Sequence, residues 1–436
     1  MNTGVKLWNQ AKKIIPGGNQ LLSKRSEMFL PEGWPAYYQK AAGAQIWDLD
    51  GRRYIDMSIM GMGTCVLGYS HPAVDGAVVR AIRAGGMSTL NCPEEVELAR
   101  KLIALHPWAQ MVRFARTGGE ACAIAVRIAR AALRKDKVAF CGYHGWSDWY
   151  LAANLADPEN LNQQLLPGLE PLGVPQALGK TALPFTYGNL PQLQELLDQN
   201  KNEVGAIIME VQRHKELDLE FLKNVRALAD KIGAVLIFDE VTSGFRLRAG
   251  GMHVLYHLKP DMVVLGKAMG NGFPIAAVVG KEFVMKAAQD TFISSTFWSE
   301  RVGFSAALEV IRQFAAKDVA EHLVATGNRI RTNLEKIFSS QKIQIKVVGM
   351  SPALCLIIQE PDPLVVKTVF TQEMLSRGFL AGGLIYVSLA HTPKIVDRYL
   401  KAAQEVFGLM AAAISRRRLN KMLKGPVCHG GFKRLN

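Results

Sequence analysis

The sequence predicts an α/β fold, with a large domain built on a mostly parallel central sheet and a smaller α+β domain towards the C-terminus. Short, continuous apolar runs at 206–209, 234–238 and 262–265 are typical of strands that are buried on both faces of a parallel sheet. The segment 221–232 has apolar residues at helical spacing and is followed by Gly233, a common helix end. These observations predict a strand–helix–strand unit in the middle of the chain.

The length of the chain predicts more than one domain. Its 436 residues exceed the size of about 250–300 residues at which a single hydrophobic core stops growing. After about residue 300 the pattern changes to helices interleaved with short strands, such as 343–348 and 354–358. We expect three parts, namely an N-terminal arm that packs with the small domain (1–58), a large domain (59–313) and a small C-terminal domain (314–436).

The composition excludes several classes of protein. A hydrophobic fraction of 49% with 21% charged residues is typical of a soluble globular protein, and no apolar run approaches the ~18 residues of a membrane span. The N-terminal stretch lacks the continuous apolar core of a signal peptide, and the six cysteines contain no CxxC pair. We therefore expect a cytoplasmic protein with reduced thiols and no membrane partner.

The net charge of +14 favours an acidic or phosphorylated ligand. The densest basic stretch is RRRLNKMLKG (416–425), which is typical of a solvated helix end. No zinc-finger spacing and no aromatic-rich RNA-binding signature accompanies it. The charge pattern therefore does not indicate nucleic-acid binding as the main function.

Three of the predicted strands end in ionisable residues. Glu210, Asp239 and Lys267 each stand at or just beyond the end of an apolar run. Open α/β sheets bind ligands beyond the carboxyl ends of their strands, so we expect these side chains at the edge of a ligand-binding cleft.

Two glycine-containing turns lie upstream. Gly118 and Gly119 open a predicted helix after the strand 111–114, and the exposed N–H groups of a helix N-terminus suit a phosphate, although a plain turn also explains a glycine pair. The stretch GYHGW (142–146) places an aromatic residue in a small-residue turn, where it would either stack on a flat ring or cap the core. The following irregular stretch, 153–185, has the length of a loop that closes over a site.

A lysine, a carboxylate, a phosphate cradle and a stacking aromatic at one sheet edge match the needs of pyridoxal 5'-phosphate (PLP). Nearly the whole chain resembles the class III, fold type I PLP-dependent aminotransferases, and most closely their glutamate-1-semialdehyde 2,1-aminomutase branch. The segments that carry the resemblance are IWDLDGRRYIDM (46–57), LGYSHPAV (67–74), RTGGEA (116–121), GYHGW (142–146), LIFDEVTSGFR (236–246), PDMVVLGKAMGNGFPIAAVVG (260–280) and SSTF (294–297). Lys267 follows Asp239 by 28 residues, which is the separation this family shows.

The resemblance implies a role for each matching residue of a large PLP-binding domain. Lys267 forms the Schiff base and later moves protons at the substrate carbon, and Asp239 pairs with the pyridine nitrogen. The other cofactor contacts that it implies are Thr117, Gly118 and Gly119 at the phosphate, Tyr143 and Val241 on the two ring faces, and Thr296 reaching the phosphate of the partner in a homodimer with shared active sites.

The substrate side departs from the aminomutase pattern. Ser23 and Arg25 are the possible counterparts of its substrate-facing arm, and Glu210 is a third candidate, although the sequence around it (210–216) also departs. The aminomutase carries a glutamate shortly before its Ser-Leu-Ala-His element, and GGLIYVSLAH (382–391) has no acid there. These departures favour an intermolecular, ping-pong aminotransferase with a small-molecule amino donor and a polar oxo acceptor.

Two other functions stay open. The alternative is a true glutamate-1-semialdehyde 2,1-aminomutase that makes 5-aminolevulinate, and the outside alternative is a non-catalytic PLP-binding or nucleic-acid-binding protein. A metal site is not predicted, because His253 and His257 stand at i, i+4 without the glutamate of an HExxH motif.

Overall fold

The computed structural model describes residues 2–164, 166–212 and 214–435. The predicted loop over 153–185 and the departing segment 210–216 each contain one residue outside this range, Leu165 and Arg213. The chain forms two compact units. The small unit comprises Met1–His71, His214–Glu216 and Glu321–Asn436, and the large unit comprises Pro72–Arg213 and Leu217–Ala320. The domain boundaries at 58/59 and 313/314 stay predictions.

The helices and strands are numbered in chain order. The α-helices are α1 (Thr3–Ile14), α2 (Met60–Gly63), α3 (Pro72–Arg83), α4 (Pro93–Leu105), α5 (Gly118–Leu133), α6 (Asp148–Leu151), α7 (Ala153–Ala156), α8 (Leu190–Gln199), α9 (Leu219–Ile232), α10 (Met252–Leu255), α11 (Glu282–Met285), α12 (Arg301–Ala316), α13 (Val319–Gln341), α14 (Pro363–Ser376) and α15 (Pro393–Ser415). The strands are β1 (Tyr38–Ala42), β2 (Gln45–Asp48), β3 (Arg53–Asp56), β4 (Met111–Ala115), β5 (Lys137–Cys141), β6 (Ala182–Pro184), β7 (Val204–Glu210), β8 (Val235–Asp239), β9 (Met262–Leu265), β10 (Ala276–Gly280), β11 (Ile345–Met350), β12 (Ala353–Ile358), β13 (Phe379–Leu380) and β14 (Leu384–Tyr386).

A seven-stranded sheet forms the centre of the large unit, in the order β4-β10-β9-β8-β7-β5-β6. Strands β9, β8, β7, β5 and β6 run parallel to one another, whereas β10 is antiparallel to both β4 and β9. Every residue of β7, β8 and β9 is buried, as continuous apolar runs require. The predicted α/β class with a mostly parallel sheet is confirmed.

Helices α5 and α9 illustrate how the sequence fixes the elements around this sheet. Asp218 caps α9 by accepting a hydrogen bond from the Phe221 N–H at 2.9 Å, and Gly233 ends the helix in a left-handed conformation (φ 64°). Helix α5 packs its small side chains into the core that covers the sheet. Its N-terminus faces the site described below.

The small unit contains two further sheets. Strands β1, β2 and β3 form an antiparallel meander, and β13 pairs parallel with β3, so the N-terminal segment and the C-terminal region share one sheet. Strands β11, β12 and β14 form an antiparallel sheet. Among the described helices, none has both the length and the apolar character that a membrane crossing requires.

Candidate active site

The register of the central sheet brings the predicted ionisable residues to one edge. Glu210, the last residue of β7, lies opposite Asp239, the last residue of β8, and Asp239 lies opposite Val264 of β9. Lys267 follows β9 after one intervening residue, Gly266, and opens a short 3₁₀ helix with a left-handed backbone (φ 39°). The lysine amine donates a hydrogen bond to the hydroxyl of Thr242, with Nζ and Oγ1 2.9 Å apart.

Asp239 is buried and receives several hydrogen bonds. Its Oδ2 accepts from Nδ1 of His144 at 2.7 Å and from Sγ of Cys122 at 3.2 Å, and its Oδ1 accepts from the Val241 N–H at 2.9 Å. Burial alone raises the pKa of this carboxyl group, but the hydrogen bonds and the charge of the His144 imidazole outweigh it, so the pKa lies below its ordinary value. Asp239 is therefore a buried carboxylate that suits a cationic partner such as a protonated pyridine nitrogen.

The predicted phosphate cradle is the N-terminus of α5. Thr117 is the N-cap of a capping box, in which its hydroxyl accepts from the Glu120 N–H at 3.3 Å and Oε2 of Glu120 accepts from the Thr117 N–H at 2.9 Å. The Thr117 hydroxyl also donates to Oε2 of Glu120 at 3.1 Å. Gly118 and Gly119 are the first residues of the helix, so their N–H groups have no partner within it. The structure thus assigns the Thr117 hydroxyl to helix capping and leaves the glycine amides as the groups that fit an anion.

Close backbone approaches around this cradle require glycine. A Cβ atom on Gly118 would lie 2.6 Å from Cγ1 of Val241, and a Cβ on Gly145 would lie 2.6 Å from Cα of Gly119. The turn after β8, the helix N-terminus and the loop 142–146 therefore meet at one place. This position of Val241 is compatible with its predicted contact with the cofactor ring.

Glu210 supports the loop that carries Tyr143. Its Oε2 accepts a hydrogen bond from the Tyr143 N–H at 3.1 Å, and a Cβ atom on Gly142 would collide with the same oxygen. The Gly142 N–H donates to Oε1 of Gln164 at 2.7 Å, and Nε2 of Gln164 donates to the Phe185 carbonyl at 3.0 Å. Glu210 and Gln164, which belongs to the irregular stretch 153–185, therefore support the backbone of the loop that carries Tyr143. The substrate role of Glu210 stays a prediction.

Arg116, the first residue of the RTGGEA segment, anchors the segment that holds Thr296. Its Nε donates to the Phe297 carbonyl at 2.5 Å, its Nη2 donates to the Glu300 carbonyl, and its guanidinium lies 5.0 Å from the centre of the Phe304 ring. Thr296 itself is exposed in the large unit. The segment is fixed to the phosphate loop while the threonine remains accessible.

Ser23 and Arg25 belong to the small unit, not to the unit that holds Lys267. Ser23 is half-buried in a 3₁₀ turn. Nη1 of Arg25 donates to the Lys433 carbonyl at 3.0 Å, and its guanidinium lies 5.5 Å from the centre of the Phe432 ring. Arg25 therefore binds the C-terminal segment, and the substrate role of both residues stays a prediction.

Three residues at the site carry no role in the sequence-based prediction, namely Cys122, His144 and Thr242. His144 lies inside the GYHGW motif, and Thr242 lies three residues beyond Asp239, so both stand in segments that carry the resemblance. Cys122 follows the glycine loop by three residues, which puts it on the first turns of α5. Only the sheet order shows that all three side chains contact Asp239 or Lys267.

Three neighbouring side chains at the site are of types that also bind metal ions. Ligand-type atoms of Cys122, His144 and Asp239 lie within 4.8 Å of one another. The distances of 2.7 Å and 3.2 Å from Asp239 Oδ2 are those of shared protons, so we interpret this group as hydrogen-bonded support for the carboxylate. His253 and His257, which the sequence does not predict to bind a metal, do not share a helix either, since α10 ends at Leu255.

The fold and the site together define a PLP-dependent enzyme of fold type I. A buried carboxylate, a lysine amine and glycine amides at a helix N-terminus meet at one sheet edge, which fits the pyridine nitrogen, the aldehyde and the phosphate of PLP. The fold is shared with the FumI protein of Sphingopyxis sp. MTA144 in its PLP internal aldimine form, with a TM-score of 0.85 at 24% identity over 97% of this chain and 100% of that one. A transaminase with PLP bound gives a TM-score of 0.83 at 24% identity over 94% and 99%.

The chain belongs to the class-III aminotransferase family, whose profile matches residues 31–394. It is similar to the 3-aminobutyryl-CoA aminotransferase of Cloacimonas acidaminovorans, at 32% identity over 79% of this chain and 81% of that protein. It is also similar to the glutamate-1-semialdehyde 2,1-aminomutase of Desulforudis audaxviator, at 30% identity over 92% of this chain and 96% of that protein. The predicted family, the PLP cofactor and an activity that uses an amino donor and an oxo acceptor are confirmed.

Proposed function

We propose that this enzyme transfers an amino group between two molecules, from a small amino donor to a polar oxo acceptor. The observation that carries the proposal is the segment 382–391, which lacks the acid of the aminomutase. There, Leu384–Tyr386 forms β14, an apolar strand of the small unit in which Ile385 and Tyr386 are buried. Two similar proteins, the 3-aminobutyryl-CoA aminotransferase and a 2'-deamino-2'-hydroxyneamine transaminase of Streptomyces kanamyceticus at 28% identity, are aminotransferases by name.

The residues of the large unit have the following roles in this proposal. When bound, PLP supplies an electron sink for the carbon that loses its proton. The Lys267 amine moves that proton, and Thr242 holds the amine by accepting its hydrogen bond. Asp239 stays ionised and orients the ring through its nitrogen, since its donors stabilise the carboxylate. Gly118 and Gly119 bind the phosphate through their N–H groups.

A homodimer is the second part of the proposal. Thr296 is exposed, and beside it Phe297 is 66% exposed although its carbonyl is held by Arg116. Other large apolar side chains of the same unit are also exposed, namely Leu90 (81%), Trp146 (73%) and Phe292 (85%). Exposed apolar groups on a well-anchored segment support an interface with a second copy of the chain, to which Thr296 would contribute a phosphate contact.

One specific observation favours the second candidate function, glutamate-1-semialdehyde 2,1-aminomutase. The aminomutase of Desulforudis audaxviator matches 92% of this chain, which is a larger share than the 79% matched by the 3-aminobutyryl-CoA aminotransferase.

The cytoplasmic location stays a prediction from the sequence.

A two-step spectroscopic experiment distinguishes the two functions. The PLP-loaded enzyme is first converted to its aminated form with single candidate donors, such as alanine or glutamate, and the free donor is removed. Single oxo compounds are then added, and recovery of the visible absorbance is followed. We expect recovery with an acceptor other than glutamate-1-semialdehyde. Efficient production of 5-aminolevulinate from glutamate-1-semialdehyde, with no turnover of other acceptors, would contradict intermolecular transfer.

A further inference from the structure

Cys122 is a buried thiol for which the proposed mechanism has no role. Its side chain is 1% exposed, and Sγ lies 3.2 Å from Oδ2 of Asp239. Burial raises the pKa of the Cys122 thiol well above its ordinary value, and the negative charge of Asp239 raises it further. The thiol therefore keeps its proton and acts as an S–H donor to the carboxylate.

The donors around Asp239 are distributed unevenly over its two oxygens. A carboxylate offers about four lone-pair positions, two on each oxygen. Among the described residues, Oδ2 receives both His144 and Cys122, whereas Oδ1 receives the Val241 N–H. One acceptor position is thus left, and it is on Oδ1.

We propose that Cys122 is a positioning residue that, together with His144, saturates Oδ2 of Asp239 and so assigns Oδ1 to the ring nitrogen of bound PLP. Groups in direct contact with a catalytic carboxylate fix its orientation and tune its basicity. The thiol is suited to this because it fills a packed position on α5 and donates one hydrogen bond without adding charge. The inference rests on the proposed role of Asp239 as the partner of the ring nitrogen.

The charged and titratable groups that surround the thiol belong to several elements. They are Asp239 on β8, His144 in the loop after β5, Glu210 on β7 and Lys267 after β9. Of these, Asp239 is the group that accepts the thiol proton in a hydrogen bond. Removal of the donor therefore changes the basicity of Asp239 first.

Three substitutions separate hydrogen bonding from packing. Cys122→Ser keeps a donor, Cys122→Val fills the space without a donor, and Cys122→Ala removes both the donor and the volume. The matched control is Cys428→Val, since Cys428 is a buried cysteine of the small unit whose Sγ lies 3.8 Å from the Leu364 carbonyl. For each PLP-loaded protein, the pH midpoint of the visible absorbance change of the bound cofactor and the thermal unfolding midpoint are measured.

A carboxylate that loses a donor is more basic and holds a proton on the nearby ring nitrogen more tightly. We therefore expect the spectral midpoint of Cys122→Val and Cys122→Ala to shift to higher pH by about half a unit, the size expected for one lost hydrogen bond. Cys122→Ser and Cys428→Val should keep the wild-type midpoint, even where their thermal midpoints fall.

The opposite pattern would overturn the inference. A wild-type spectral midpoint in Cys122→Val, or a midpoint that follows side-chain volume across the three variants, would show that the thiol only packs. If the wild type and Asp239→Ala both bind PLP and neither shows a pH-dependent spectrum, the proposed role of Asp239 is overturned. A protein that takes up no PLP would overturn the proposed function itself, so the failures are distinguishable.

Discussion

Lys267 adopts a backbone conformation that is costly for a residue with a side chain. Its φ of 39° lies in the left-handed region, which costs a non-glycine residue about 1–2 kcal/mol. Such strain persists only where the surrounding structure over-determines it, as at catalytic residues. Lys267 stands two residues beyond the end of β9, and its amine reaches Oγ1 of Thr242. We infer that the strain serves to aim the amine.

Replacement of Lys267 is the direct test of its role. We expect Lys267→Ala to keep the far-ultraviolet circular dichroism of the wild type, to lose the visible absorbance of covalently held PLP and to lose turnover by at least about 10²–10⁴-fold, the usual contribution of proton transfer. Lys286→Ala is the matched control, because Lys286 pairs with Glu282 at the surface. A fully active Lys267→Ala enzyme would rule out the assignment.

Thr242 offers a second residue-level prediction. Thr242→Val removes the acceptor of the Lys267 hydrogen bond while keeping the shape of the side chain, so we expect kcat to fall by about tenfold, which corresponds to one hydrogen bond. The isotope effect of a donor deuterated at the reacting carbon should increase, because proton transfer becomes slower. Thr242→Ser should behave like the wild type, and an unchanged isotope effect in the valine variant would count against a positioning role.

The turn after β8 is the element on which the site depends. It follows Asp239, the last residue of β8, and carries Val241 and Thr242; the Thr242 carbonyl accepts a hydrogen bond from Nε of the buried Arg246 at 2.5 Å. Glu240 fastens the turn to α10, since its carboxylate accepts from the N–H groups of Met252 and His253 and from Nδ1 of His253. A second buried carboxylate, that of Glu240, therefore holds the turn next to the catalytic residues in place.

This carboxylate predicts a pH dependence of stability. Burial alone raises the pKa of Glu240, but hydrogen bonds from His253 and Met252 outweigh it, so its folded pKa lies below the ordinary value. A depressed pKa stabilises the fold above the unfolded pKa and loses that contribution as the pH falls through the folded pKa. We expect Glu240→Gln to lower the free energy of unfolding at pH 7 by about 2 kcal/mol, with a smaller difference from the wild type in acid.

Urea unfolding at pH 7 and at pH 4 checks this prediction. Glu282→Gln is the control. Glu282, on α11, forms an exposed ion pair with Lys286, the first residue after this helix. Equal losses for Glu240→Gln at both pH values would show that the lost stability does not depend on ionisation.

At the scale of the whole molecule, the anchored segment around Thr296 predicts a dimer. Phe297 is 66% exposed on this segment, so we expect Phe297→Asp to introduce a charge into the interface and to convert the dimer to monomer in sedimentation velocity. The monomer should retain PLP less tightly, because Thr296 of a second copy would no longer reach the phosphate. Ile14→Asp is the control, since Ile14 on α1 is 80% exposed in the small unit. A wild-type monomer that is active at nanomolar concentration would contradict this prediction.

Much of the large unit could be predicted because its signals are local. The buried strands β7, β8 and β9 follow from continuous apolar runs, and α9 follows from helical spacing that ends at Gly233. Asp239 and Lys267 stand at the ends of such strands, so the sequence by itself determined the fold class and the type of cofactor. These features depend on burial and hydrogen bonding within short segments, which residue patterns encode directly.

Other features were decided only by the tertiary structure. The sheet order places β10 between β4 and β9 and brings Cys122 to Asp239, which lies 117 residues away in the chain. The choice of hydrogen-bond partner is equally non-local, since Arg25 donates to the carbonyl of Lys433, which lies 408 residues away in the chain. A sequence pattern shows which groups are able to form a hydrogen bond, but the partner that each group obtains depends on which strands become neighbours when the whole sheet assembles.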